Sequence, residues 1–504
     1  MTSRRISPHV VMGLILALYM LLILPTVSRQ GISWDEQNDL WIAQSYLVKP
    51  NGWLVGSDID PSQARLPMFI VALVYHIVNR SDLMTARLVS VFVGGLTLVG
   101  IYCYGLLNLD ARRGWLAAGL LATSPFFLAF ARVAFTETDI YLACLFVWLM
   151  VVKTRAESYS NVRRILTIGV LLGLGLSAKF TTLAIFPAAW VAIVKAGEGK
   201  KLTSRLRDVA LVTAMALATS LLLPPEHLTN PDILRSLWQR FRYEMPHPLS
   251  FIGEAAALHL LAIVLKSGVV IGVGMMLSLI LSLSRLRDER LNFPMLLALC
   301  YFAGLLALPL AQTFYMVPLL PILAILTANQ FFRLWDSRRR LAVTLAILAV
   351  ASLGVDLALC YPDFNLNGYQ WLGLRNIAGR SSVGYRSIVQ TPSDGVQQAF
   401  EWLNEHAQSG ERVLAYLLEW HIVQATAPNP AYRIENGFET SLYTHPNYVV
   451  IHINAQIRQS WWTGGPEGVD LPYVRAWLEE NYIKVFTVWR RFGLEMASIW
   501  QRKD

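Results

Sequence analysis

The sequence predicts an all-α polytopic membrane domain over residues 1–360, followed by a small α/β domain over 361–504 that lies outside the membrane. Three observations carry this expectation. The 504 residues are 55% hydrophobic, with a mean hydropathy of +0.44, too apolar for a soluble enzyme. Apolar runs that read as membrane spans recur eleven times before residue 360, the first of them long enough to cross ~30 Å of hydrocarbon. Beyond residue 360 the period changes to short β-rich runs alternating with amphipathic stretches, punctuated by Gly and Pro.

The spans fall at about 8–27, 86–107, 113–131, 138–152, 164–178, 180–195, 208–223, 257–283, 294–311, 313–332 and 341–360. Arg4 and Arg5 precede the first, and no small-residue cleavage site follows it, so it reads as an uncleaved helix with a cytoplasmic N-terminus. Basic clusters then fill alternate connections: Arg112 and Arg113; Lys153, Arg155, Arg163 and Arg164; Lys195 to Arg207; Arg285 to Arg290; Arg333 to Arg340. All lie on the side of Arg4 and Arg5, which places the C-terminal domain in the extracytoplasmic space. The expected home is a bacterial plasma membrane.

Three elements are expected outside. Loop 28–85 contains an apolar stretch, Pro67 to Val78, too short to span and suited to lie along the interface. Loop 224–256 is rich in Pro, His, Trp and Arg. The tail has helical stretches at Gln397–His406 and Leu471–Asn481, and β-rich runs at Val413–Leu418, Tyr448–Ile453 and Ile483–Trp489. No internal repeat or low-complexity tract is present.

The net charge of +9 divides into −2 over residues 361–504 and +11 over the membrane part. The positive charge sits in the short connections that set orientation, which argues against a nucleic-acid partner. Cys103, Cys144, Cys300 and Cys360 lie within or at the ends of spans, with neither zinc spacing nor a disulfide framework.

Ionisable groups next to hydrocarbon are costly and mark function by default. Asp35 and Glu36 follow the first span. Arg132, Glu137 and Asp139 lie between the third and fourth spans, and Lys179 lies between the fifth and sixth. All six are expected at one depth on the outer face. Cations there suit a lipid phosphate and the charge that builds on it as it leaves, and a carboxylate suits the proton of an attacking hydroxyl. Structural readings stand beside these: Arg132 tying its turn through Glu137 or Asp139, Lys179 snorkelling to a headgroup, Asp35 and Glu36 in a solvated loop.

These residues recur together in one superfamily. The chain resembles the GT-C membrane glycosyltransferases, in the branch of protein O-mannosyltransferases and lipid A aminoarabinose transferases. The resemblance runs through Asp35-Glu36; Ala86-Arg-Leu-Val-Ser90; Gly114-Trp-Leu-Ala-Ala-Gly-Leu-Leu-Ala-Thr-Ser-Pro125; Arg132-Val-Ala-Phe-Thr-Glu-Thr-Asp139; Gly173-Leu-Gly-Leu-Ser-Ala-Lys179; and Phe314-Tyr-Met-Val-Pro-Leu-Leu-Pro321. It covers about residues 1–360.

The resemblance implies transfer of a sugar from a polyprenyl-phosphate donor to an acceptor lipid, glycan or protein at the extracytoplasmic face, with inversion. It implies Asp35 as base, Glu36 as its support, Arg132 and Lys179 on the donor phosphate, and Asp139, Glu137 and Tyr315 near sugar or acceptor. Tyr243-Glu-Met-Pro-His247 resembles a Glu-x-x-His stretch of some members, which puts Glu244 and His247 on the acceptor path. No cofactor is required by this reading. A divalent metal at Glu137 and Asp139 is a weaker alternative, since two carboxylates suit a hard cation but do not complete its shell. The eukaryotic MIR-like β-trefoil insertion is absent from the sequence, so nothing in it points specifically to a protein acceptor. The pair Trp461-Trp462 suits either a sugar face or domain core. A lipid or sugar transporter or flippase is the main rival; it would place its charges at mid-membrane within repeats, which this sequence lacks. A non-catalytic scaffold is the second rival.

Overall fold

A computed structural model describes residues 7–29, 32, 34–49, 51–55, 65–134, 139–155, 160–230, 232, 235, 236, 239, 250–284, 289–307, 313–362, 364, 395–416, 430–437, 444–452, 471–490 and 494–503. The chain divides into two compact units. One comprises 1–28 with 39–358, the other 29–38 with 359–504.

The first unit is helical. Helix α1 (Pro8–Ile23) runs into a 3-10 turn at Leu24–Thr26. Loop 28–85 is less irregular than its composition suggests. It contains α2 (Trp34–Val48), the single turn α3 (Gly52–Val55) and α4 (Leu66–Val78), and α4 is the apolar stretch expected to lie along the interface. Helix α5 (Leu83–Asn108) starts on an N-cap, Asp82, whose carboxylate accepts from Thr85 N–H. The expected span 113–131 is broken: α6 (Ala111–Ala122) and α7 (Pro125–Ala131) meet at 68°. The break falls at Thr123-Ser124, where Pro125 ends one helix and pre-sets the first turn of the next.

Helices α8 (Asp139–Arg155) and α9 (Asn161–Ala178) follow, then a 3-10 turn at Phe180–Ile185, α10 (Phe186–Ala196), α11 (Leu202–Leu222) and the short α12 (Glu226–Thr229). The expected single span 257–283 is also wrong. It is two helices, α13 (Ser250–Lys266) and α14 (Val269–Leu283), parted at Ser267-Gly268. Gly268 has φ +91°, a conformation that favours glycine. The two helices fold back so closely that a Cβ on Gly272 would meet the Val264 backbone at 2.5 Å. Helix α15 (Glu289–Ala307), a 3-10 stretch at Thr313–Leu319, α16 (Leu320–Ser337) and α17 (Arg339–Cys360) complete the unit.

Among the described residues, the expected spans fall on helix. Among the described residues, five helical stretches are long and apolar enough to cross a membrane, or six if the bent pair counts as one. Their burial separates centre from periphery. Thr313–Ser337 buries 83% of its most apolar window within the protein, whereas Arg339–Cys360 buries 11% and offers its apolar side chains outward. All four cysteines are free.

In the second unit five strands form one sheet: β1 (Arg412–Tyr416), β2 (Arg433–Gly437), β3 (Tyr448–His452), β4 (Tyr482–Arg490) and β5 (Leu494–Arg502), in the order β2-β1-β3-β5-β4. The first three are parallel, while β5 is antiparallel to both its neighbours. Helices α18 (Val396–His406) and α19 (Leu471–Asn481) pack on it. Trp402 of α18 stacks on Phe486 and meets Tyr448 edge-on. Trp477 of α19 packs on the cluster holding Val449. Tyr448 and Val449 are neighbours on β3 and point to opposite faces, so the two helices cover opposite sides of the sheet. The tail is thus an α/β domain, as its pattern predicts, with β2 and β5 added. Trp461 and Trp462 lie outside the described residues.

Candidate active site

Lys179 leaves the end of α9 in extended backbone, its N–H still donating to the Gly175 carbonyl at 2.8 Å. The chain turns at once into the Phe180–Ile185 stretch, where Thr182 N–H returns to the Lys179 carbonyl at 3.1 Å. The glycines before it make this turn fit. A Cβ on Gly175 would lie 2.7 Å from Thr182 Cγ2, and one on Gly173 would lie 2.4 Å from the Ala216 carbonyl of α11. The Gly-rich segment is therefore a packing surface that seats the lysine.

Asp139 opens α8, where the helix dipole favours a carboxylate. Its Oδ2 accepts from Lys179 Nζ at 2.9 Å, and the two side chains are 0% and 7% exposed. The same ammonium lies 4.0 Å from the centroid of the Tyr315 ring and 5.3 Å from that of Phe314, within cation–π range. Asp139, Lys179 and Tyr315, singled out separately in the sequence, thus converge at one point. Asp139 Oδ1 accepts no hydrogen bond among the described residues, so this carboxylate keeps acceptor capacity beyond the lysine.

Arg132 is buried, and its Nη1 reaches the Thr26 carbonyl at 3.4 Å. Asp139 takes Lys179 as its ion-pair partner. Arg87, from the Ala86–Ser90 motif, donates from Nη1 to the Val27 carbonyl at 2.7 Å and is also buried. Two guanidinium groups therefore meet consecutive carbonyls at the C-terminal end of the first helical stretch, where a helix presents unsatisfied acceptors.

Asp35 lies in the first turn of α2, its side chain outside the described residues. Glu36 is fully buried, and Gln37, Asn38 and Asp39 are buried beside it, which corrects the solvated-loop alternative for Glu36. Glu137, Glu244 and His247 lie outside the described residues. Among those described, no group of three or more His, Cys, Asp or Glu is placed to hold a metal ion.

Sequence reasoning missed one buried cluster. Arg65, Glu226 and Tyr46 come together, Arg65 Nε lying 3.5 Å from Glu226 Oε1 with both side chains 0% exposed. Tyr46 donates its hydroxyl to the same oxygen. Burial first, and then the Glu226 charge, push the Tyr46 hydroxyl well above its usual pKa, so it stays a donor. The available signal was positional: Arg65 stands directly before an apolar run, and Glu226 directly after Pro224-Pro225 at the end of a span.

The family model described as dolichyl-phosphate-mannose-protein mannosyltransferase matches residues 62–223, which include Arg65, Arg87, Arg132, Asp139 and Lys179. No curated protein matches the chain by sequence. Among solved structures, ArnT from Cupriavidus metallidurans bound to undecaprenyl phosphate superposes with a TM-score of 0.60 at 12% identity, over 97% of each chain. The oligosaccharyltransferase of Archaeoglobus fulgidus, in complex with zinc and sulfate, gives 0.53 at 14% identity, over 98% of this chain and 73% of its own. The archaeal oligosaccharyltransferase AglB from the same organism, with an inhibitory peptide and a dolichol-phosphate, also gives 0.53, at 13% identity, over 98% of this chain and 74% of its own. The chain has the GT-C fold and resembles the GT-C glycosyltransferases of the ArnT and protein O-mannosyltransferase branch.

Proposed function

We propose that the protein is a polyprenyl-phosphate-dependent glycosyltransferase of a bacterial plasma membrane, moving one monosaccharide to an acceptor lipid, glycan or protein on the extracytoplasmic face. The observation that carries this reading is the buried Lys179–Asp139 pair lying on the Tyr315 ring, in a fold whose solved members include one with undecaprenyl phosphate and one with a dolichol-phosphate. A lysine in such a water-poor setting attracts a phosphate far more strongly than one in solvent. Asp139 balances its charge.

In the reaction, the Asp35 carboxylate takes the proton of the acceptor hydroxyl. The freed oxygen attacks C1 of the sugar from the face opposite the phosphate, and the C1–O bond breaks. The electron pair leaves with the polyprenyl phosphate, whose added charge Lys179 and Arg132 stabilise. Inversion follows from this geometry. Glu36 supports Asp35 or binds acceptor; Asp139, Glu137, Tyr315, Glu244 and His247 hold sugar and acceptor. An acceptor that is itself a phosphate needs no base, and Asp35 then orients it. No resident cofactor takes part. A metal, were one held through Asp139, would compete with Lys179 for that carboxylate.

The test is transfer by purified protein in nanodiscs supplied with radiolabelled polyprenyl-phosphate mannose, glucose, galactose or aminoarabinose and extracted membrane lipids and glycans. The proposal requires turnover of at least one donor, with polyprenyl phosphate as the second product. Folded protein that turns over none of them would count against it.

A further inference from the structure

Helices α9 and α11 pack side by side and run parallel. Asn161, which opens α9, donates to Asp208 Oδ1 near the start of α11 at 3.1 Å. Further along, a Cβ on Gly169 would lie 2.7 Å from Met215 Cβ. The paired starts lie at the end of the membrane domain that carries the basic connections. This end takes no part in the chemistry above.

The joint holds more positive charge than it uses. Asp208 is buried, and its Oδ2 accepts from Lys200 Nζ at 3.3 Å. Lys200 also donates to Asn161 Oδ1 at 3.1 Å, an oxygen that it shares with Arg164. Arg207 Nη2 lies 4.0 Å from Asp208 Oδ1, and its side chain is 69% exposed. Three cations thus gather round one carboxylate among the described residues. The turn between α10 and α11 is itself tied down. Lys200 N–H donates to the Gly197 carbonyl at 2.9 Å, and Arg205 Nε donates to the Lys200 carbonyl at 3.1 Å. The excess charge therefore sits at a defined place.

An apolar groove lies directly beside it. Two parallel helices wind in the same sense, so residues just after the contact line on one and just before it on the other share a side. On α9 these are Val162 and Leu166; on α11 they are Arg207 and Leu211. All four are exposed. Arg207 marks the charged end of the groove. Leu166 and Leu211 stand about 6 Å further along the helix axes, toward the apolar middle of both helices.

We propose that this groove binds an anionic phospholipid of the surrounding bilayer, its phosphate on Arg207 and Lys200 and one acyl chain along Val162, Leu166 and Leu211. Charge complementarity selects the occupant. A headgroup without net charge leaves the excess unbalanced, and a soluble anion leaves the apolar side chains uncovered. Basic pockets between membrane helices are general sites for acidic headgroups. The aliphatic stem of Arg207 can lie along the chain while its guanidinium stays at the surface. The inference rests on the membrane reading of the fold and not on the transferase one.

The test uses full-length protein in detergent. Phosphatidylglycerol, phosphatidylcholine or glycerol phosphate is titrated in, and bound species are counted by native mass spectrometry. Phosphatidylglycerol is expected to bind about tenfold more tightly than phosphatidylcholine, with glycerol phosphate far weaker than either. Arg207→Gln should lose about fivefold in phosphatidylglycerol affinity, the scale of one basic residue beside an acidic headgroup. Its phosphatidylcholine binding and its lipid-free melting temperature should not change, and Arg207→Lys should keep most of the affinity. Arg338→Gln, exposed in another basic connection, should leave all three ligands unaffected. Equal affinity for the two lipids overturns the proposal. So does an equal loss in Arg207→Gln and Arg338→Gln, which would mean attraction by overall charge. Glycerol phosphate binding as tightly as phosphatidylglycerol would assign the joint to a soluble anion instead. Loss of both lipids together with lower lipid-free melting in Arg207→Gln would make the arginine structural and overturn the proposal.

Discussion

Lys179 Nζ and Asp139 Oδ2 lie 2.9 Å apart, sealed from solvent at the junction of α8, α9 and the Thr313–Leu319 stretch. An ion pair in such a place leaves little room for substitution. Removing one strands the other, at a cost of about 3–5 kcal/mol, whereas replacing both with neutral groups of similar size costs far less.

Lys179→Ala is therefore expected to do two separable things. It should lower the melting temperature, through the stranded Asp139, and weaken undecaprenyl phosphate binding about 10–100-fold, through the lost cation. The double variant Lys179→Met/Asp139→Asn should recover the stability without the binding. Wild-type affinity in Lys179→Ala would remove the lysine from the donor site. Recovery of binding in the double variant would mean that stability alone had been lost.

The tail offers a pH-dependent check on its own sheet. Arg412 donates to both carboxylate oxygens of Glu435, at 2.9 and 2.7 Å, across the β1–β2 pair. That hydrogen bonding holds Glu435 below its ordinary value of 4.5, against the opposing effect of burial. A carboxylate with a lowered folded pKa stabilises the fold above its unfolded pKa, and the contribution is lost as pH falls through the folded one. Glu435→Gln cannot titrate. Its melting temperature should lie below wild type at pH 7, and the gap should shrink below about pH 4.5 and then close. An offset that stays constant down to pH 3 would show that the pair contributes through packing alone.

Metal dependence separates the two readings of the Glu137–Asp139 turn. With Asp139 committed to Lys179, transfer is expected to continue unchanged after EDTA treatment and gel filtration. Activity lost to EDTA and restored by Mg²⁺ or Mn²⁺ would place a cation at that turn.

Much of the fold was legible because bilayer length and basic connections are strong signals. Among the described residues the apolar runs fall on helix, and the tail's runs on strands β1, β3 and β4. The errors have local causes. Hydropathy averages over a window, so it passed smoothly across Thr123-Ser124 and Ser267-Gly268, where Pro125 and the positive φ of Gly268 break the helices. Strand β2 escaped notice because Arg-Ile-Glu-Asn-Gly is a polar edge strand. Strand β5 escaped because Met496 to Trp500 is buried on both faces and shows no alternation.

The site divides in the same way. Asp139, Lys179 and Tyr315 were found as charged or aromatic residues at motif positions, but their convergence is a tertiary fact, set by glycines that let α9 and α11 approach. Arg87 carries no sequence signal beyond its motif, and nothing local marks the Arg65–Glu226 pair. A buried ion pair joins residues 161 positions apart, and nothing in either local sequence names the other.

The central claim is that Asp35 activates an acceptor toward a lipid-phosphate sugar. The most direct measurement compares wild type with Asp35→Asn in nanodiscs, reading transfer of label and binding of undecaprenyl phosphate on the same preparations. Loss of a general base predicts a 10²–10⁴-fold fall in transfer, with undecaprenyl phosphate affinity unchanged within about twofold. Near-normal transfer by Asp35→Asn would contradict the claim.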